Sequence, residues 1–234
     1  MTGGASGIGA DMVRAFAANR ARVAFVDVQR EAGEALAAEQ GVLFLPCDIT
    51  DIPALQQAIA ETADRLGPIG VLVNNAANDD RRPIDDVTVD YWDQSQAINL
   101  RPHFFAAQAV RPQMRQLGGG SIINFSSIAW RSGADAMAPY ATAKAAVMGL
   151  TRALARGFGA DNIRVNAIEP GAVMTERQRQ LWYTSEDSVR AMVNRQTIKR
   201  VLLGEDIART ALFLAADDSN MITKQSLIVD AGLR

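Results

Sequence analysis

The 234-residue chain contains one histidine, one cysteine and three tryptophans, and each scarcity excludes a class of chemistry. A single cysteine, Cys47, leaves no internal disulfide framework and no multi-cysteine zinc site, which fits a reducing compartment. A single histidine, His103, rules out a His-rich metal centre, so no metal is expected. A Ser-His-Asp triad would have to run through His103, which lies in an apolar helical pattern where a packed or surface helix residue is expected. No apolar run reaches the ~18 residues of a membrane span, and the first residues lack the basic-then-apolar profile of a signal peptide. Charge of one sign is also lacking: 24 Lys+Arg against 26 Asp+Glu give a formal net charge of −2, and no basic block exceeds Arg81-Arg82. Neither nucleic acid nor a membrane surface is therefore expected as a partner, and a cytoplasmic location is.

What is present is enough apolar material for one large core, at 48% hydrophobic residues. Strand-like runs at Arg22–Val28, Val42–Pro46, Gly70–Asn74, Ser121–Ser126, Arg164–Ile168 and Ser226–Asp230 alternate with amphipathic helical stretches such as Ala10–Asn19, Arg30–Glu39, Trp92–Gln116 and Tyr140–Gly157. Parallel strands need crossover connections, so this alternation predicts an α/β fold: a single-domain Rossmann-type doubly wound parallel sheet with helices on both faces, spanning 1–234. No linker or low-complexity tract divides the chain. A sheet of this type begins with a strand leading into its glycine loop, whereas Met1 and Thr2 stand directly before Gly3. The first strand is expected to be missing or truncated before Thr2.

The loop Thr2-Gly3-Gly4-Ala5-Ser6-Gly7-Ile8-Gly9 precedes a helical segment, so its backbone can turn sharply and approach a pyrophosphate at the helix N-terminus. Alone it could be a tight turn. Asp27 strengthens it, ending the next strand-like run eighteen residues beyond Gly9, near the ~20 expected for a carboxylate that binds an adenosine ribose. A carboxylate accepts from a free 2′-hydroxyl and repels a 2′-phosphate, so NAD is favoured over NADP, with Arg30 nearby read as a solvated helix residue. Asp48 and Ile49 follow the next strand and suit an adenine. Asn74-Asn75-Ala76-Ala77 end the one after, where small residues let backbone pass a ribose.

Tyr140 and Lys144 are spaced i, i+4 on one helix face. A phenol, with a pKa of about 10, serves as a base near neutrality only where positive charge stabilises the phenolate, and Lys144 supplies that charge. Ser127 ends a strand thirteen residues before Tyr140, placed to hold a reacting oxygen. Pro102, inside a helical pattern, predicts a kink next to Asn99 that frees a backbone acceptor for a water.

With the Thr2–Gly9 loop, Asn74-Asn75-Ala76, Asn99, Ser127, Tyr140-x-x-x-Lys144, Pro170-Gly171 and Thr175 in view, the sequence resembles the short-chain dehydrogenase/reductase family over nearly its whole length. The resemblance implies that Tyr140 is the acid/base, that Ser127 orients the substrate oxygen, and that Lys144 binds the nicotinamide ribose and lowers the Tyr140 pKa. It implies also that Asn99 holds a relay water and that Val173 and Thr175 lie beside the carboxamide. A homotetramer, formed partly through the helices at Trp92–Gln116 and Tyr140–Gly157, is implied in the same way.

The segments expected to overhang the nicotinamide are polar and aromatic: Asn78-Asp79-Asp80-Arg81-Arg82, Trp130-Arg131, Asp135 and Gln180-Leu181-Trp182-Tyr183. Hydroxyl-rich ligands need such convergent donors and acceptors with an aromatic wall. The run after Ala77, Trp130 close to Ser127, and the Trp182-Tyr183-Thr184 segment resemble the bacterial aldose 1-dehydrogenases of the family, above all the NAD-dependent D-xylose type. The implied reaction is oxidation of an anomeric hydroxyl to an aldonolactone, with Asn78, Asp79, Ser127, Trp130 and Trp182 at the sugar. The alternative is a carbonyl reductase or secondary alcohol dehydrogenase acting on a keto ester, an acyl thioester or another non-sugar alcohol. Ala172–Ser188 reads as a loop that closes over bound cofactor.

Overall fold

The structure, a computed structural model, describes residues 1–133 and 135–233. Four-residue strands β1 (Ala24–Asp27), β2 (Leu43–Pro46) and β3 (Val71–Asn74) are followed by β4 (Gly120–Phe125), β5 (Ile163–Pro170) and β6 (Ser226–Val229). They are near-continuous Val/Ile/Leu/Phe runs, the composition of strands covered on both faces, and every pairing is parallel. Thr2 is bridged in parallel to both Val26 and Asn74. The sheet order is therefore β2-β1-Thr2-β3-β4-β5-β6, with the sequence-expected leading strand represented by one paired residue. Around that seam the Met1 amino group donates to the Ala24 carbonyl (2.9 Å) and the Thr2 N–H to the Val73 carbonyl (3.0 Å). Beside it a slot of about 710 Å³ runs between β1 and β3, walled by Phe25, Leu72 and Phe213 among others.

Two apolar layers sandwich this sheet. On one face, Leu55 and Ile59 of α3 (Ile52–Leu66), Ala106, Val110 and Met114 of α5 (Arg101–Gln116), and Leu154 and Phe158 of α7 (Ala138–Phe158) pack on Leu72, Ile122 and Val165. On the other, Met12, Val13 and Phe16 of α1 (Gly7–Ala18), Leu36 of α2 (Arg30–Gln40), and Ile207, Ala211 and Leu214 of α10 (Gly204–Ala215) pack on Phe25, Val73, Ile123 and Ile168. Each such side chain contributes about 1.5–3 kcal/mol by leaving water. Among the described residues no helix is long and apolar enough to cross a membrane.

Two elements differ from the sequence reading. The stretch Trp92–Gln116 is not one kinked helix: α4 (Val89–Asn99) ends and α5 begins across Leu100, whose φ of −132° and ψ of −55° break the ladder. Pro102 then sits in the first turn of α5, where its missing N–H is no loss. The segment Ala172–Ser188 is not wholly loop either. It folds α8 (Glu176–Leu181), whose first turn is capped by the Thr175 hydroxyl accepting from the Gln178 N–H, and it leads into α9 (Glu186–Arg195), capped by Ser185. Met174, Val189 and Met192 form a small apolar cluster beneath it.

The carboxyl ends of β1, β3, β4 and β5 bring Asp27, Asn74, Phe125 with the following Ser126-Ser127, and Pro170 to one rim. That rim is where ligands bind in open parallel sheets.

Candidate active site

A single cavity of about 1,680 Å³ opens along the rim, larger than the ~300–1,000 Å³ of one small-ligand site and roomy enough for a dinucleotide beside a substrate. Its wall includes every residue expected at the cofactor: Gly3, Ser6, Gly7, Ile8, Gly9, Asp27, Asp48, Ile49, Asn75, Ala76, Tyr140, Lys144, Pro170, Gly171, Val173 and Thr175.

The floor of the cavity is built for close backbone approach. Gly7 opens α1 at φ +54°, a left-handed conformation that favours glycine. A Cβ on Gly9 would lie 1.8 Å from the Gly3 carbonyl oxygen, so only glycine lets the loop fold back on itself. The Thr2 hydroxyl accepts from the N–H groups of Asn75 and Ala76 (both 3.1 Å), and the Asn75 carboxamide donates to the Gly3 carbonyl (2.8 Å), clamping the loop to the end of β3. Asp27 is buried with its carboxylate aimed by two backbone donors, Ala5 (2.9 Å) and Gln29 (3.0 Å), and Gln29 in turn donates to Ser6 (2.8 Å). Asp48 uses one oxygen to accept from the N–H and hydroxyl of Thr50 (both 2.8 Å). A glycine cradle at a helix N-terminus, with an oriented carboxylate one strand away, fits a nicotinamide dinucleotide.

Above this floor α7 presents Tyr140 and Lys144, with the Lys144 Nζ 5.6 Å from the Tyr140 ring centre and the Ser127 hydroxyl near enough to the phenol to favour its ionised form. Ser127 is held in turn, its hydroxyl accepting from the Ala129 N–H at 3.1 Å. Lys144 is 1% exposed and donates to the Phe125 carbonyl at 2.8 Å. Burial pushes the Lys144 pKa down to about 7, against the opposing pull of Asp79. Burial likewise raises the Tyr140 phenol above its ordinary value; Ser127 draws it down and the Asp79 carboxylate pushes it up. Desolvation is thus the largest influence on both groups, and it opposes the charged form of each. His103 is buried too, and desolvation, reinforced by Lys144, holds it neutral with a pKa of about 3.

Three expected residues do not reach the cavity wall. Asn99 is buried with its carboxamide committed to Asn78, accepting from the Asn78 N–H (2.9 Å) and donating to the Asn78 carbonyl (3.0 Å). Trp130, expected at the sugar, instead turns its indole N–H onto Glu169 (2.8 Å). Trp182, also expected there, lies beneath the Arg81 guanidinium, 3.7 Å from its ring centre. Asn78 and Asp79 do line the cavity with Ser127, and so do Arg177, Gln178 and Tyr183.

The sequence reading passed over Glu169 and Arg177. Glu169 is wholly buried at the end of β5 and accepts from Arg131 (2.8 and 2.9 Å), Trp130 and Ser226, fastening the short helix α6 (Ala129–Ser132) that follows Ser127. An apolar strand ending in Glu-Pro-Gly, with Trp-Arg behind the serine, was the available signal.

A phenol, a hydroxyl and a buried amine at the mouth of a dinucleotide cradle define a nicotinamide-dependent oxidoreductase. A family model described as enoyl-(acyl carrier protein) reductase matches residues 3–234, and the chain belongs to the short-chain dehydrogenase/reductase family. It is 49% identical over 239 aligned residues to the probable galactose dehydrogenase GalD of Rhizobium meliloti (strain 1021), covering 100% of this chain and 93% of that one. Identity is 44% to the D-xylose 1-dehydrogenase of Caulobacter vibrioides (strain NA1000 / CB15N), over 100% of this chain and 94% of that protein. It is 37% to the sorbitol dehydrogenase of Cereibacter sphaeroides, over 99% and 95% of the two chains.

Proposed function

We propose that this protein oxidises the anomeric hydroxyl of an aldose to an aldonolactone, with NAD as hydride acceptor. The observation that carries the reading is the phenol of Tyr140, beside Ser127 and Lys144, under a roof of polar side chains: Asn78, Asp79, Gln178 and Tyr183. Its similarity to proteins named for galactose and D-xylose supports the substrate class.

Ser127 holds the reacting oxygen beside Tyr140. The Tyr140 phenolate takes the hydroxyl proton and becomes a neutral phenol, and Lys144, in the protonated form it adopts below about pH 7, stabilises the phenolate before that transfer. A nicotinamide held by the glycine loop and Asp27 would supply the hydride acceptor, so that aldose and NAD⁺ would give aldonolactone, NADH and a proton. Asp27 supports NAD over NADP: its oriented carboxylate suits a 2′-hydroxyl, and the nearby Arg30 is turned outward onto Glu34 (3.5 Å).

Initial rates of NAD⁺ and NADP⁺ reduction across aldoses, simple secondary alcohols and hydroxy esters test the reading. Saturable turnover of one or a few aldoses with NAD⁺ is expected, and Tyr140→Phe should bind NAD⁺ normally while losing turnover. Turnover of hydroxy esters with none of any aldose would overturn the substrate assignment.

A further inference from the structure

The roof of the cavity is held by an ionic clasp between two segments distant in sequence. From α8, Arg177 reaches across to the loop after β3, its Nε to Asp79 (3.1 Å) and its Nη2 to Asp80 (3.0 Å) and Asn78 (3.2 Å). Its neighbour Gln178 donates to the other Asp79 oxygen at 2.9 Å. Asp79 is thus pinned through both oxygens, and Arg81 lying over Trp182 makes a second bridge between the same segments. The root of the clasp is Thr175, which caps α8 and whose methyl would lie 3.3 Å from a Cβ on Gly7, against the glycine loop.

Resting on the sugar reading above, we propose that Arg177 is a positioning residue that sets substrate specificity. It fixes the Asp79 carboxylate as an acceptor for the hydroxyls of a neutral sugar. Because its guanidinium is committed to Asp79 and Asp80, it offers no cation to an anionic substrate such as a uronic acid. Two facts favour this over a role in folding. Arg177 is 49% exposed and Asp80 56%, and an exposed pair contributes little to stability, while the more sheltered Asp79, 19% exposed, keeps Gln178 as a partner when Arg177 is replaced. Both partners nevertheless line the substrate end of the cavity, where a planar fork fixes a carboxylate more closely than a point charge can.

The test uses the full-length enzyme with NAD⁺, the best neutral aldose and the matching uronate. Arg177→Gln should raise the aldose KM about tenfold or more, while kcat stays within about twofold, the NAD⁺ Kd is unchanged and Tm moves by less than about 3 °C. Arg177→Lys should recover part of the KM. In the Asp79→Asn/Asp80→Asn double variant the freed guanidinium should raise the uronate-to-aldose ratio of kcat/KM about tenfold or more. An unchanged aldose KM in Arg177→Gln, an equal fall in kcat, or a fixed uronate ratio in the double variant each overturns the proposal. Wild-type enzyme that turns over no aldose sinks the substrate reading itself, whereas normal aldose turnover with an unmoved KM in Arg177→Gln sinks this inference alone.

Discussion

Replacing Lys144 by methionine should abolish turnover and make the protein more stable. Burial lowers the Lys144 pKa from 10.5 to about 7, which corresponds to about 5 kcal/mol of folding free energy sacrificed wherever the unfolded lysine is charged. The direction follows from proton counts. Between about pH 7 and 10.5 the unfolded chain holds a proton that the folded one has released, so wild-type stability rises with pH through that window. Below it the penalty is at its full size. Methionine keeps the stem's volume without the charge, but it forfeits the 2.8 Å bond to Phe125 and leaves that buried carbonyl unpaired, at a cost of about 1–3 kcal/mol.

The net expectation at pH 6 is about 2–4 kcal/mol in favour of Lys144→Met, a rise in Tm of roughly 5–10 °C for a chain of this size. At pH 9.5 the penalty on the wild type has shrunk to about 1–2 kcal/mol, so the two proteins should be nearly equal. Urea denaturation followed by circular dichroism at both pH values measures the difference. A methionine variant less stable than wild type at pH 6, or a difference that does not change with pH, would refute the reasoning, because either result means that the buried amine is not paying for its position in the charged form.

Two further substitutions test the cradle and the support behind Ser127. Gly9→Ala puts a methyl 1.8 Å from the Gly3 carbonyl oxygen, a backbone atom that cannot swing aside, so the loop must open. An NAD⁺ Kd weakened about a hundredfold or more is expected by calorimetric titration, with about 1–3 kcal/mol of stability lost to overpacking. Glu169→Gln turns an amide donor toward Arg131, Trp130 and Ser226, and should cost about 2–3 kcal/mol at pH 7, discounted because Arg131 is 33% exposed. Burial raises the Glu169 pKa but its three donors outweigh that and hold it below the ordinary carboxylate value. Its contribution is therefore present above the unfolded pKa and lost as pH falls through the folded one, and the gap between wild type and variant in urea midpoint should narrow on acidification.

The features legible in the sequence are those set by local spacing. Period-two and near-continuous apolar runs put six strands within a few residues of their observed ends, and Tyr140 and Lys144 share a helix face because four residues make about one turn. The features that were not legible depend on partners far along the chain. Trp130 follows Ser127 closely enough to suggest substrate contact, yet a carboxylate thirty-nine residues later captures its indole. Trp182 would reach the cavity but for Arg81, about a hundred residues earlier, stacking on it. The Lys144 pKa depends on desolvation by the strands and helices packed over it, which the i, i+4 spacing to Tyr140 does not disclose.

Asp79 links the two halves of this site. Its carboxylate raises the pKa of Tyr140 and of Lys144 alike, so it favours the protonated form of both proton-carrying groups. The same carboxylate is gripped by Arg177 and Gln178 from α8. One carboxylate thus meets the α8 clasp on one side and the field of both proton-carrying groups on the other, so its charge ties the roof of the cavity to the acid-base pair.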